Sequence, residues 1–517
     1  MISMKAKRVF SVILLDVLLA FFSTLSFDVR PVSAYATICI RADGTVDPSD
    51  APISSLDNMT YTLTNTINAS IVVERDNIVL DGGGYTLQGA ASGVGIDLSN
   101  RNNVTIRNIT VKLFTYGISL YDACKNTIFD SNIVEGCDIY GFGGFGVKLE
   151  ESSHNTIFQN NITGNGFGIV LDSSNNNIIH RNNITANIYH AIFFHYSDFN
   201  CISENEISGN NRAIYFDFSS NNTIRYNNIF RTRYKAIRLG YCFNNTILGN
   251  NITQNEWWGG LWLYQSSYNS ILVNNISENK YVAFLLDSHS NYNLISENNM
   301  ISNVDLGVSI NSSIGNRFYH NNFMFNPRQV SILAANCSNF WDDNLEGNCW
   351  SSYNEPDLDD DGIGEAPYEI NPDNIDHHPL MGMFHSFNTS FRCCVNVISN
   401  STIEEFTYYE SNSTIKMRVF GENSPGFCRV CVPYVLMNVS DIYVIIDNGN
   451  SAVLYSNYHL YDNGTHRWIY FVYEHSSHEI VIVPEFSPIS LLSAFTMITL
   501  LAGMARKKME RSTLKRV

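Results

Sequence analysis

The sequence predicts an all-β chain built mainly as a parallel β-helix, followed by a small β-sandwich and a C-terminal membrane-spanning helix. Three observations predict it. A nine-residue phrase returns in eight consecutive copies at a nearly fixed interval. Each copy carries short period-two apolar runs of the kind strands use. The repeat then stops, well before an uncharged stretch near the C-terminus. With 517 residues the chain is also too long for one ordinary globular domain, which requires several units or an elongated one.

Composition narrows the function classes. There are 49 acidic side chains against 32 basic, a net charge of −17, and only 16% of residues are charged. A nucleic-acid binder needs a basic face for phosphates, so that class is excluded. With 44% apolar and 13% aromatic residues the chain is not a disordered tail. Asn, Ser and Thr supply the polarity, which fits a turn-rich β protein.

Residues 1–34 read as a secretory signal peptide: Lys5, Lys7 and Arg8, then the run from Val9 to Phe22, then Val32-Ser33-Ala34 as a small-x-small cleavage site, with Ala36 as an alternative. Asp16 interrupts the apolar run, so an uncleaved anchor is the competing reading. Residues 35–100 form the N-terminal cap and first coils.

Residues 101–345 are the repeat. The phrase at Asn155 (NTIFQNNIT) recurs at Asn177, Asn200, Asn222, Asn245, Asn269, Asn293 and Asn316, at separations of 22, 23, 22, 23, 24, 24 and 23. An earlier copy at Asn126 precedes an insertion around Gly141 to Gly146. Each copy adds a small residue followed by apolar alternation, as in Gly168-Ile-Val-Leu and Ala213-Ile-Tyr-Phe. About 23 residues suffices for one turn of a three-sided coil, and stacking such coils about 4.8 Å apart gives a parallel β-helix. Ile157, Ile162, Ile169 and Leu171 and their equivalents then point inward. Asn recurs at position 0 and, as Asn160, Asn182, Asn205, Asn227, Asn250, Asn274, Asn298 and Asn321, at position +5. Asn tolerates the left-handed conformation a corner needs, and stacked amides can bond rung to rung. These residues are read as structural ladders. The Asn-Ile-Thr triplets also match the glycosylation acceptor pattern, which the repeat generates by itself.

The segment from about Asn68 to Trp350 resembles the right-handed parallel β-helix repeat proteins of pectin-lyase-like fold. Within them it is similar to the NosD-type "periplasmic copper-binding" group and to the carbohydrate-binding and sugar-hydrolysis repeat class. The resemblance rests on Ile71 to Gly84, on Asn103 to Thr110, and on the repeats above. It implies the fold more than an activity.

Along the longer strand of each coil, alternate residues face outward. One such row is Lys148, Val170, Phe193, Tyr215, Arg238, Trp262 and Leu285; the next is Glu150, Asp172, His195, Asp217, Gly240 and Tyr264. With Trp257 and Trp258 they make an aromatic and acidic strip suited to sugar rings and hydroxyls. Neighbouring coils put Glu150 and Asp172 about 5 Å apart, and Asp172 and Asp217 about 10 Å apart. Those spacings approach the retaining and inverting glycosidase ranges. Phe193, Tyr215, Arg238, Trp257, Trp258, Trp262 and Tyr264 are the candidate ligand-binding residues, with Glu150, Asp172, Asp217 and His195 as candidate catalytic groups. The clustered Asp, His and Arg motifs of β-helix polysaccharide enzymes are missing, which favours binding or an adhesive role over turnover by a polysaccharide lyase or glycoside hydrolase.

Residues 346–384 hold an acidic loop. Asp357, Asp359 and Asp361 alternate ahead of Gly362, with Ile363 and Glu365 completing a set of oxygen donors suited to Ca²⁺. It is not an EF-hand, because position twelve is Tyr368. His377, His378, Met381, Met383 and His385 are of copper-binding type. Their spacing around Pro379 fixes no common face, so copper is not the favoured metal. Eleven cysteines leave at least one unpaired. Disulfides between Cys337 and Cys349, and between the Cys393–Cys394 and Cys428–Cys431 neighbourhoods, are reasonable expectations in an oxidising compartment.

Residues 385–483 lack the repeat and read as strands with tight turns, such as Ile442 to Ile446 and Trp468 to Tyr473, forming a β-sandwich stalk. In residues 484–517, Pro484-Glu485-Phe486 precedes the uncharged run Ile489 to Ala505 and a basic tail from Arg506. Seventeen uncharged residues are near the short limit of a membrane span, and the basic tail is expected to stay cytoplasmic. This end resembles the PEF-CTERM class of archaeal surface-sorting signals, which implies a sorting enzyme as partner. The expected protein is thus anchored at the cell surface with its body outside and a polysaccharide or surface glycan as ligand. A copper-related extracytoplasmic factor of NosD type is a further alternative.

Overall fold

The computed structural model describes residues 37–484, apart from 137–142, 390, 392, 423–424, 440 and 448–451. The expected signal peptide, apolar span and basic tail lie outside the described residues. Among the described residues no helix is long and apolar enough to cross a membrane.

The chain is a right-handed parallel β-solenoid with three sheets, of fourteen, thirteen and twelve strands. One coil shows how the repeat builds them. Thr156–Phe158 joins the thirteen-stranded sheet, Asn161–Thr163 the twelve-stranded sheet, and Phe167–Asp172 the fourteen-stranded sheet. The nine-residue phrase is therefore two strands meeting at a corner, not one. Each strand pairs in parallel with its equivalent one coil away, as in Ile157 with Ile179, Ile162 with Ile184, and Ile169 with Ile192. That register forces every inward position into a column. Ile157, Ile162, Ile169 and Leu171 are buried with their equivalents in one continuous core. Burying such a side chain is worth about 1.5–3 kcal/mol, and each coil repeats the gain.

The corners differ from the sequence expectation in one respect. The left-handed residue is the one before each ladder asparagine: Gln159, Asn176 and Arg181 have φ of 53°, 57° and 54°. The asparagine itself is buried and serves only as a hydrogen-bonding post. Asn177 donates its backbone N–H to Asn200 Oδ1 at 2.7 Å and its amide to the same oxygen at 3.2 Å, while also reaching the Ser152 carbonyl at 3.0 Å. The second ladder repeats this through Asn182 and Asn205. A third ladder at position +10 runs through Asn165, Asn187 and Asn210, and a serine column through Ser152, Ser174, Ser197 and Ser219 runs beside the first ladder, in the turn between the fourteen- and thirteen-stranded sheets. All four columns donate in the same sense along the chain. A turn that turns the backbone inward strands its polar groups, and these columns satisfy them.

The last coils hand the columns to closing residues. Asn339 donates to Asn374 Oδ1 at 3.0 Å, and Asn348 donates its backbone N–H to Asp376 at 2.8 Å. Asp376 is fully buried and also accepts from Trp350 Nε1 and the His378 N–H. Burial pushes its carboxyl up to about 7, against the pull of those donors.

Beyond the solenoid lie two five-stranded antiparallel sheets sharing a core that includes Val397, Val430 and Phe471 on one side and Met417, Val444 and Ile482 on the other. They are tied to the last coils. Phe384 and Asn322 exchange hydrogen bonds of 2.8 and 2.9 Å. Buried Glu346 meets His320, Arg429 and Trp468. The expected disulfides are not formed: the ten described cysteines are all free. Cys428 points into the sandwich core beside Ser399 and Tyr473, each 3.4 Å away, and Cys349 packs on Met324 Sδ at 3.7 Å. Each thiol is spent on packing in its own layer.

Candidate functional site

The outward rows of the fourteen-stranded sheet are set by the same register. Lys148, Val170, Phe193, Tyr215, Arg238, Trp262 and Leu285 are consecutive Cα partners, as are Glu150, Asp172, His195, Asp217, Gly240, Tyr264 and Asp287. A third outward row precedes them: Tyr116, Phe145, Phe167, His190 and Arg212, with Lys235 opposite Arg212 in the next coil. Strict alternation misses that row, which stands three residues ahead of the first one because two consecutive inward residues, such as Gly168 and Ile169, separate them.

Not every outward residue is accessible. Val170 and Arg238 are buried, at 6% and 8% exposure. Arg238 lies among aromatic rings from the two flanking coils. Its guanidinium is 4.4 Å from the Tyr215 ring centre, 5.1 Å from Trp262 and 5.6 Å from Tyr264, and pairs with Asp217 at 2.6 Å. Lys235 sits over the Trp262 ring with its ammonium 2.8 Å from the centroid and 5.4 Å from that of Trp258. Burial, with Arg238 and Arg212 close by, lowers the Lys235 ammonium to about 7. His190 is stacked on Phe167 and edge-on to Tyr215, and burial holds its imidazole down to about 3. In this cluster His190 Nδ1, Arg238 Nε and Trp262 Nε1 are buried with no hydrogen-bond partner among the described residues. An unpaired buried donor or acceptor costs roughly 1–3 kcal/mol, so the three together are out of keeping with the saturated ladders beneath them.

The candidate carboxylates are each paired. Glu150 meets Lys148 at 2.6 Å, Asp172 meets His195 Nδ1 at 3.1 Å, and Asp217 is held by Arg238. Phe193 lies between His190 and Tyr215. Trp257 and Trp258 are exposed on the turn ahead of Leu261–Tyr264. Beside the strip, Tyr196, Phe218 and Tyr241 stack along the rod at 5.1 and 4.7 Å. They occupy left-handed positions (φ 46°, 49° and 56°) where other coils carry Asp122, Glu151, Ser173 or Ser288. Bulky residues are uncommon there, and three in succession flank only this part of the sheet.

The acidic loop is the one place among the described residues where three His, Cys, Asp or Glu side chains converge, with the ligand oxygens of Asp357, Asp359 and Asp361 within 4.8 Å of one another. That geometry fits a hard cation. Burial raises the carboxyls of Asp357 and Asp361. Glu365 is not part of the convergence: its Oε1 accepts the Leu358 and Asp359 N–H groups and closes the loop from outside. The Ile363 N–H donates to Asp361 at 2.7 Å. His377 pairs with Asp342 at 3.1 Å and His385 is half-buried against Phe387. Neither belongs to the converging group of His, Cys, Asp and Glu side chains among the described residues.

A family model described as "Periplasmic copper-binding protein (NosD)" matches residues 185–355, and one described as a right-handed β-helix region matches residues 56–201 and 94–239. The probable ABC transporter binding protein NosD of Pseudomonas aeruginosa is 40% identical over 72 residues. That match covers 14% of this chain and 16% of the relative, so the chain spans about a sixth of the curated relative it matches. Similar solved structures include the A-module of a mannuronan C-5 epimerase from Azotobacter vinelandii, at 14% identity, covering 55% of this chain and 88% of that one with a TM-score of 0.42. A periplasmic alginate epimerase is 15% identical over 55% of this chain and 80% of its own, TM-score 0.36. A DFA-IIIase from Arthrobacter chlorophenolicus is 12% identical over 52% and 86%, TM-score 0.38.

Proposed function

We propose that this parallel β-helix repeat protein binds polysaccharide along the outer face of its fourteen-stranded sheet, on the cell surface, without turning it over. The observation that carries the reading is the local patch of Tyr215, Arg238, Trp258, Trp262 and Tyr264, in which aromatic rings and unpaired donors are gathered over three neighbouring coils. Rings present apolar faces to sugar C–H groups while their donors meet hydroxyls. A rigid sheet fixes these groups before the ligand arrives, which lowers the entropic cost of binding. Binding to a glycan array checks this: the intact protein is retained with no fragment released, and Trp262→Ala weakens retention about tenfold, or ~1.4 kcal/mol. Release of sugar fragments that disappears with Asp172→Asn or Asp217→Asn would replace this reading with a hydrolase or lyase.

The loop of Asp357, Asp359 and Asp361 supports a second component, a structural Ca²⁺ at the solenoid end. Three carboxylates brought together repel one another until a cation neutralises them. Calcium at about a hundredfold excess over its Kd then stabilises the fold by about 2.7 kcal/mol, and Asp359→Asn removes most of the rise in melting temperature. Elemental analysis of the same sample distinguishes calcium from copper. Display at the surface through residues 484–517 is part of the same proposal, and fractionation of cells with and without that segment tests it.

A further inference from the structure

The patch has a charge property that sugar binding alone does not require. Arg212, Lys235 and Arg238 occupy neighbouring coils of one face in a protein whose net charge is −17. Asp217 pairs with Arg238, but among the described residues Arg212 and Lys235 have aromatic rings and no carboxylate in contact: Arg212 lies over Tyr234 at 5.5 Å and Lys235 over Trp262. Arg238 itself, more than nine-tenths buried, leaves its Nε without an acceptor, and so does Trp262 at Nε1. Donors thus outnumber acceptors here, a setting that suits an anion.

We propose that this cluster binds an oxyanion, carboxylate or sulfate ester, carried by an acidic glycan, with Arg212, Lys235 and Arg238 as its cationic ligands and Trp258 and Trp262 against the sugar. The inference rests on the polysaccharide reading above and names its ligand class. Charge-assisted hydrogen bonds from arginine are about twice as strong as neutral ones, and aromatic walls that thin the surrounding water strengthen them further. Binding is also linked to protons. Arg212, Arg238 and Asp287 act on Lys235, with His190 and Asp217 around the two arginines. The two guanidiniums and burial drive the proton off the amine, and an arriving anion draws it back. Affinity therefore falls as pH rises through about 7, by roughly tenfold between pH 6 and pH 8 when the bound amine keeps its ordinary basicity.

The test titrates the intact protein calorimetrically with three oligosaccharides of one length: a neutral oligoglucan, its sulfated form, and an oligoglucuronate. At least one charged oligomer is expected to bind tenfold or more tightly than the neutral one, more weakly in high salt, and the arm that does so identifies the oxyanion. Lys235→Met, at a half-buried position that accepts an apolar chain, loses about tenfold in affinity and flattens the pH profile. Asp217→Asn frees Arg238 and tightens binding several-fold, where a catalytic carboxylate would give no such gain. Equal affinity for neutral and charged oligomers, or binding indifferent to Lys235→Met at both pH values, overturns the anion assignment and leaves the polysaccharide reading standing. Binding of none of the three overturns both.

Discussion

Two faces of the same coils have opposite characters. On the twelve-stranded sheet the outward residues continue the repeat: Asn183 bonds to Asn161 at 3.0 Å, Asn251 to Asn228 at 2.8 Å and Asn275 to Asn251 at 2.8 Å, so that even the exposed surface is a ladder. On the fourteen-stranded sheet the outward residues of the same coils are Arg212, Tyr215, Lys235, Arg238 and Trp262, with no periodicity. The inward isoleucines are indifferent to which face they serve. Departure from the repeat, not the repeat, therefore marks the face on which the proposed ligand would be met. The coil carrying Lys235 and Arg238 departs inside as well: Thr232 stands where its neighbours place Asn210 and Asn255, and Cys242 where they place Ser219 and Ser266. Thr232 Oγ1 is left without a partner among the described residues.

Three perturbations break or sharpen this contrast. The largest separates adjacent residues. Asn227 is buried and accepts both the backbone and the amide of Asn205, whereas Asn228 faces outward on the next strand. Asn227→Ala is expected to cost about 3 kcal/mol in urea unfolding, since two donors lose their acceptor. Asn228→Ala should change stability by less than about 0.5 kcal/mol. A smaller effect comes from repair. Thr232→Asn restores the broken ladder between Asn210 and Asn255 and should raise stability by about 1 kcal/mol. The smallest is a pH dependence. Burial lowers His190 to about 3 and His385 to about 4, so both stay neutral in the fold and take up protons only on unfolding as pH drops below about 6.5. Stability contributed by their neutral state is complete above that pH and is lost as acid approaches the folded values. His385→Phe, which keeps the stack on Phe387, flattens the acid limb of the melting curve, and His190→Phe should do so within the solenoid.

The solenoid could be read from the sequence because its constraint is repeated: the spacing of Asn155, Asn177 and Asn200 alone fixes the coil length, and alternation fixes which residues face in. Less was legible at the corners. The residue that takes the left-handed turn is whatever precedes the asparagine, and types as different as Gln159, Arg181 and Tyr226 fill it. The third ladder escaped because Thr232 interrupts it and it lacks a constant neighbour in sequence. At the candidate site, Trp262 and Tyr215 could be placed on one face. The burial of Arg238 and the perturbation of Lys235 could not, because both depend on how rings from separate coils tilt over one another. Glu365 shows the same limit on a small scale: its position in the acidic loop is correct for a ligand, yet two backbone N–H groups claim its oxygen.

The one-way sense of the amide columns has a consequence for how such a molecule changes over generations. Every interior link offers an oxygen backward and a hydrogen forward, and only the closing residues, ending at Asp376, differ. A coil can be duplicated or deleted between two identical links without leaving either end unmatched. Length is then adjustable in increments of about 4.8 Å, and the distance from the cationic patch to the sandwich becomes a ruler that single recombination events can reset.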